Sequence, residues 1–142
     1  MFKKVSPGTS SRLTTVDHTE TYGAHILEKI SKDLDILKCL DLGCGRGRDL
    51  QIIRKNNSKA KLFGVDFDEK NSQTLKTLGI EPFKVNIENQ ELPFENASVD
   101  FVIANQILEH TKEIYWINHE IFRVLKVGGY MYLGVPNMLA LH

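Results

Sequence analysis

The chain of 142 residues has little of what marks several specialised classes of protein. It contains two cysteines and four prolines, and no apolar run approaches the roughly 20 residues of a membrane-spanning helix. The 18 basic and 18 acidic side chains balance, so the composition indicates no general attraction to nucleic acid. No histidine or cysteine spacing matches a metal motif. We therefore expect a cytoplasmic protein with reduced thiols, no metal, no membrane insertion and no nucleic-acid partner.

Strands alternate with helices along most of the chain. Residues 1–17 are predicted to be irregular, and one domain is predicted over 18–142. Apolar runs predict strands near residues 37–42, 61–66, 80–85, 99–104 and 130–135. Helical patterns lie between them, and Thr111 is placed to cap a long amphipathic helix that follows the fourth strand. The alternation predicts an α/β fold in which helices cover both faces of a mostly parallel sheet.

The most informative segment joins the first predicted strand to a helix. Gly43, Gly45 and Gly47 stand two residues apart, and glycine permits positive φ and close approach of a ligand to the backbone. Asp41 lies at the end of the strand, where its carboxylate can face that ligand. A dinucleotide fingerprint would need glycine at position 48, which is Arg48, so a nicotinamide-dependent oxidoreductase is disfavoured.

An acidic residue ends the second predicted strand. Asp66 follows Gly47 by 19 residues, and an acid about 20 residues after a glycine loop is placed to bind the hydroxyls of a ribose. The alternative is an ordinary aspartate that caps the next helix. Phe67 follows directly, and its ring either packs on the face of a nucleobase or is a plain core or surface aromatic.

Five segments in this order resemble class I (Rossmann-like) S-adenosylmethionine-dependent methyltransferases, of the small-molecule group called type 11. The segments are Asp41–Gly47, Gly64–Asp68, Asn86–Phe94, Leu108–His110 and Arg123–Gly129. The resemblance extends over about residues 37–137. It implies a three-layer α/β/α sandwich with strand order 3-2-1-4-5.

The resemblance also implies S-adenosylmethionine as cofactor, S-adenosylhomocysteine as product and methyl transfer by SN2 displacement. The implied cofactor-binding residues are Asp41, Gly43, Cys44, Gly45, Gly47, Asp66, Phe67, Asn86, Ile87 and Asn105. The common form of the family has aspartate where this chain has Asn86, whose amide still offers a carbonyl acceptor to adenine. The implied partner is a small-molecule methyl acceptor, with glycan or lipid precursors as candidates.

His110 is the candidate catalytic base, since a base near the methyl group can take a proton from an oxygen or nitrogen nucleophile. The alternative is that His110 helps to cap the next helix and closes the wall of the pocket. A second function stays open for the whole chain, namely a non-catalytic S-adenosylmethionine-binding module or regulatory subunit.

The resembled enzymes usually have seven strands, and this sequence stops shortly after the fifth. Residues 130–135 would then form an exposed apolar edge, which proteins seldom leave bare. We expect a fragment or truncated product, with a homodimer or another partner over that edge as the alternative.

Overall fold

The structure is a computed structural model that describes residues 18–136. The irregular segment predicted for residues 1–17 lies outside the described residues. Helices and strands alternate, as α1 (His18–Lys32), β1 (Lys38–Leu42), α2 (Arg48–Asn56), β2 (Lys61–Asp66), α3 (Ser72–Thr77), β3 (Ile80–Lys84), β4 (Val99–Asn105), α4 (Ile114–Val124) and β5 (Leu125–Gly134). Within this part of the chain, no helix is both long and apolar enough to cross a membrane.

The five strands form one parallel sheet in the order β3-β2-β1-β4-β5. The predicted fold class and strand order are confirmed. The order reverses at β1, which pairs with β2 on one side and with β4 on the other. A sheet of this kind has a crevice at the carboxyl ends of the strands that flank the reversal.

Alternate residues of the strands point to opposite faces of the sheet, and each face carries its own apolar cluster. One face packs against α1, α2 and α3 through Leu27, Cys39, Leu50, Ile53, Leu75 and Phe101, among others. The other face packs against α4 through Leu40, Leu42, Val102, Ile117 and Ile121, among others. The helices and the sheet therefore form the predicted three-layer sandwich.

A buried ion pair on α4 fixes the connection between β3 and β4. Glu120 is 3% exposed, and its carboxylate accepts from the backbone N–H of Leu92 and from the Arg123 guanidinium, both at 2.7 Å. The same guanidinium donates to the carbonyl oxygens of Leu92 and Phe94 at 2.9 and 2.7 Å. This cluster anchors a segment without regular structure to a helix.

Two predicted boundaries are wrong. Thr111 does not cap α4, because its hydroxyl donates to the carbonyl of Leu108 in the preceding 3-10 turn and the helix begins at Ile114. The last strand begins at Leu125 rather than near residue 130. Leu125 pairs with Val99, and the next pair is Tyr130 with Phe101, so residues 126–129 bulge out of the strand.

Candidate functional site

Two adjoining clefts lie at the carboxyl ends of the strands beside the reversal of strand order. The larger has a volume of about 310 Å³, and the predicted site residues along it are Gly43, Asp66, Phe67, Asn86, Ile87 and His110. The smaller has a volume of about 160 Å³, and the predicted site residues along it are Asp41, Gly43, Cys44 and Asn105. Gly43 lines both clefts, so the two clefts adjoin at this residue.

The glycine loop turns sharply between β1 and α2. Gly43, Gly45 and Gly47 all have positive φ, at 70°, 50° and 75°. A side chain on Gly47 would collide with Leu75 and Ile80, so this glycine lets α2 begin close to the sheet. Apart from Gly45 itself and its two neighbours in the chain, no described atom lies within 4 Å of the place where a side chain on Gly45 would begin. Gly45 and Gly47 therefore shape the loop, and neither lines a cleft.

Asp66 connects the end of β2 to the glycine loop. Its Oδ2 accepts from the backbone N–H of Gly45, and its Oδ1 accepts from that of Asp68, both at 3.0 Å. The cap of the following 3-10 turn is instead Asp68, which accepts from the N–H of Lys70 at 2.9 Å. Asp66 thus has a fixed carboxylate on the wall of the larger cleft, and each oxygen can accept from a further donor.

Two buried groups lie where the clefts meet the end of β1. Burial raises the pKa of Asp41 well above its ordinary range, and the charges of Asp49 and Asp66 raise it further. Burial, followed by the charges of Asp41 and Asp66, raises the pKa of the Cys44 thiol to about 12. The thiol is neutral near pH 7 and is a poor nucleophile, as expected for a small loop residue.

A tight turn follows β3 on the wall of the larger cleft. Asn86 closes it, because its Oδ1 accepts from the N–H of Glu88 at 3.1 Å and its N–H donates to Gln90 Oε1 at 2.6 Å. Ile87 lies between them, half-buried beside the cleft. Glu88 Oε1 accepts from the N–H of Lys112 at 2.6 Å, which joins two walls of the cleft. The sequence interpretation did not include Glu88, although it belongs to the same motif as Asn86.

His110 lies on the wall of the larger cleft, away from Asn105 in the smaller one. Its side chain is 73% exposed, and its Nε2 is 4.0 Å from Glu109 Oε1. The residue ends a single 3-10 turn, and α4 begins four residues later at Ile114. His110 therefore does not cap α4. Of the structural alternative to a catalytic base, only a place on the wall of the pocket is left for His110.

Three further residues line the smaller cleft, namely Arg48, Asp49 and Gln106. Asp49 Oδ2 accepts from Asn105 Nδ2 at 2.8 Å. Gln106 has φ of 54°, which is uncommon for a residue with a side chain, and its N–H donates to the carbonyl of Gly134 at 2.8 Å. The sequence alone explains Asp49 as an acidic residue that interacts favourably with the dipole at the start of a helix. No sequence signal predicts the positive φ of Gln106.

Comparisons with known proteins identify relatives of this fold. A family model described as a methyltransferase domain matches residues 40–133. The demethylmenaquinone methyltransferase of Lactococcus lactis is 37% identical over 103 residues, which cover 68% of this chain and 41% of that protein. The chain spans about two fifths of the length of the curated relatives it matches.

Solved structures give the same result at the level of the fold. A SAM-dependent methyltransferase from Aquifex aeolicus superposes with a TM-score of 0.60 at 25% identity, over 70% of this chain and 58% of that chain. The YcgJ protein of a Bacillus species superposes with a TM-score of 0.67 at 21% identity, over 78% of this chain and 49% of that chain.

Proposed function

The chain belongs to the S-adenosylmethionine-dependent methyltransferase family, and on that premise we propose that the protein transfers a methyl group to a small-molecule acceptor. The cofactor is S-adenosylmethionine, which when bound supplies a methyl group on a positively charged sulfur that leaves readily as a thioether. The observation that carries the proposal is the pair of clefts that share Gly43, one beside Asp66 and the other beside Asp41.

The larger cleft suits an adenosine group. Asp66 is held by two backbone N–H groups and has acceptor capacity left for ribose hydroxyls. The ring of Phe67 is 69% exposed beside the cleft, so it is available to pack on a nucleobase. We assign the adenine edge to Asn86 and Ile87, which line the same wall.

The smaller cleft suits the amino-acid end of the cofactor. Asp41 is 4% exposed and lines the cleft, and no residue in 23–136 donates a hydrogen bond to its carboxylate. A buried carboxylate without a donor is costly unless a cation or a donor comes to it. We assign Asp41 to the cationic groups of the cofactor, and we assign Cys44 and Asn105 to the wall around them.

The chemical step mainly requires alignment of the acceptor with the methyl group. We propose His110 as the base for an acceptor that must lose a proton, because its exposed imidazole borders the larger cleft and has a carboxylate nearby. The names of the relatives support a small acceptor, since they include demethylmenaquinone, arsenite and ubiquinone-biosynthesis methyltransferases.

Three further points belong to this proposal. We assign the cofactor-binding domain to residues 18–142. We propose a reducing compartment such as the cytoplasm, because Cys39 and Cys44 are both free thiols. We also propose that a second copy or another partner covers the outer edge of β5, where Tyr130 is 56% exposed and Leu133 is 44% exposed.

The test is calorimetric titration of the chain with S-adenosylmethionine, beside NADH and beside the variant Asp66→Asn. We expect saturable binding of S-adenosylmethionine and none of NADH. The variant should weaken binding roughly tenfold to a hundredfold, as for loss of a hydrogen bond to a charged group. The matched control is Asp33→Asn, an exposed carboxylate just after α1 that should leave the affinity unchanged.

A folded chain that binds NADH, or that fails to bind S-adenosylmethionine, contradicts the proposal. Incubation with cell extract then tests turnover. Release of S-adenosylhomocysteine supports an enzyme, and saturable binding without any product supports the non-catalytic module instead.

A further inference from the structure

Glu88 lies in the turn after β3, and neither the sheet nor the proposed cofactor contacts account for its side chain. Its Oε1 accepts a hydrogen bond at 2.6 Å from the backbone N–H of Lys112, which lies 24 residues away, between the 3-10 turn Leu108–His110 and α4. A bond from a backbone N–H to a carboxylate is shorter and stronger than one between neutral groups. This bond spans the wall of the larger cleft, which Glu88 and His110 both line.

The other hydrogen bonds of the turn that carries His110 are local. The N–H of His110 and the hydroxyl of Thr111 each donate to the carbonyl oxygen three residues earlier, at 3.0 and 2.9 Å. Of the hydrogen bonds within residues 23–136, only the one to Glu88 joins residues 108–112 to a part of the chain outside this turn. Because the His110 side chain is 73% exposed, Glu88 is the polar contact that ties its segment to the opposite wall.

The same hydrogen bond serves the start of α4. Glu113 directly precedes the helix, and its side chain makes no hydrogen bond to the free N–H groups of the first turn. The Glu88 carboxylate binds one residue before that position. Negative charge is favourable at the N-terminus of a helix, so Glu88 supplies from the turn after β3 what the helix lacks locally.

Glu88 is itself fixed by the turn that contains Asn86. Asn86 Oδ1 accepts from the N–H of Glu88 at 3.1 Å, and the N–H of Gln90 donates to the carbonyl of Asn86 at 2.9 Å. Because the turn closes around Asn86, a displacement of Asn86 moves Glu88 with it. A continuous series of hydrogen bonds therefore runs from Asn86 through Glu88 to the segment that carries His110.

We propose that Glu88 is a positioning residue, which ties the His110 segment to the Asn86 turn so that a ligand bound in the larger cleft fixes the position of the imidazole. The inference rests on the proposed function, in which Asn86 contacts adenine and His110 is the base. It adds a residue that acts through the backbone of Lys112 without touching the cofactor.

The experiment follows the Lys112 amide and the His110 imidazole by NMR in the full chain. In the free protein, Glu88→Ala should speed hydrogen exchange of the Lys112 amide at least tenfold, because the acceptor is gone. Glu88→Gln keeps a carbonyl acceptor and should restore most of the protection. The matched control is Glu95→Ala, which removes an exposed carboxylate from the same connection between β3 and β4 and should leave both signals unchanged.

S-adenosylhomocysteine is the ligand used as the probe. At saturation it should shift the His110 imidazole signal in wild type, in Glu88→Gln and in Glu95→Ala. In Glu88→Ala the shift should fall to half or less, because the imidazole is no longer tied to the turn. The dissociation constant should stay within about threefold of wild type in all variants, since Glu88 does not hold the ligand.

An equal shift of His110 in wild type and Glu88→Ala overturns the proposal, as does unchanged exchange of the Lys112 amide. A loss of affinity of tenfold or more in Glu88→Ala would mean that Glu88 binds the ligand, which also overturns it. If wild type does not bind S-adenosylhomocysteine, the proposed function fails. Exchange of the Lys112 amide then decides on its own, since faster exchange in Glu88→Ala supports the tie and equal exchange overturns it.

Discussion

At the scale of a single residue, the burial of Asp41 affects the stability of the free protein. Its folded pKa is raised by burial and then by the charges of Asp49 and Asp66, so it lies above the unfolded value of 3.8. A group of this kind contributes stability below the unfolded pKa and loses that contribution as the pH rises through the folded pKa. As the pH rises above 3.8, the buried carboxyl group therefore becomes a growing cost to the stability of the free protein.

The variant Asp41→Asn should melt about 3–6 °C higher than wild type at pH 7, as for about 1 kcal/mol in a chain of this size. The reason is that the amide keeps the shape of the carboxyl group and removes the unfavourable ionisation of a buried acid. Thermal unfolding from pH 4 to pH 8 should show an advantage that grows with pH, while calorimetry shows weaker binding of S-adenosylmethionine. Asp33→Asn is the control, and a less stable Asp41→Asn at pH 7 would contradict this account.

At the scale of elements, the Glu120–Arg123 pair anchors the segment between β3 and β4 to α4. The segment anchored by Arg123 follows directly on the turn that contains Asn86 and Ile87. Arg123→Met should lower the free energy of unfolding by about 3 kcal/mol, because it leaves the buried Glu120 carboxylate without its cation.

Chemical denaturation measures this loss, and Arg54→Met is a matched control. The Arg54 guanidinium donates to the carbonyl of Gly79 at 2.8 Å in an exposed position, so its loss should cost less than about 1 kcal/mol. Equal losses in the two variants would mean that the ion pair on α4 contributes no more than a surface contact.

Elements with local signals could be predicted from the sequence, and those that depend on distant contacts could not. The bounds of β2 follow from an apolar run between a lysine and an aspartate, and the structure has the same Lys61–Asp66. The start of α4 was missed because the Thr111 hydroxyl bonds within its own 3-10 turn. The site shows the same division, since the glycine loop is a local pattern, whereas the bond between Asp49 and Asn105 joins residues 56 positions apart.

At the scale of the whole molecule, β5 forms one edge of the described sheet. It is the last strand in the order, and apolar side chains along it are exposed, with Tyr130 at 56% and Leu133 at 44%. An edge of this kind offers unpaired backbone groups and apolar surface to another chain. Natural proteins protect such edges with charged side chains, lysine above all.

The proposal that a second copy covers β5 predicts a mean mass that rises with concentration in sedimentation velocity. Tyr130→Lys places a charge on that edge. It should raise the dissociation constant for self-association at least tenfold. Tyr115→Lys is the matched control, because Tyr115 is 94% exposed near the start of α4 and is not part of β5. A wild type that stays monomeric at all concentrations, or two variants with equal effect, would show that β5 is not where copies of the chain meet.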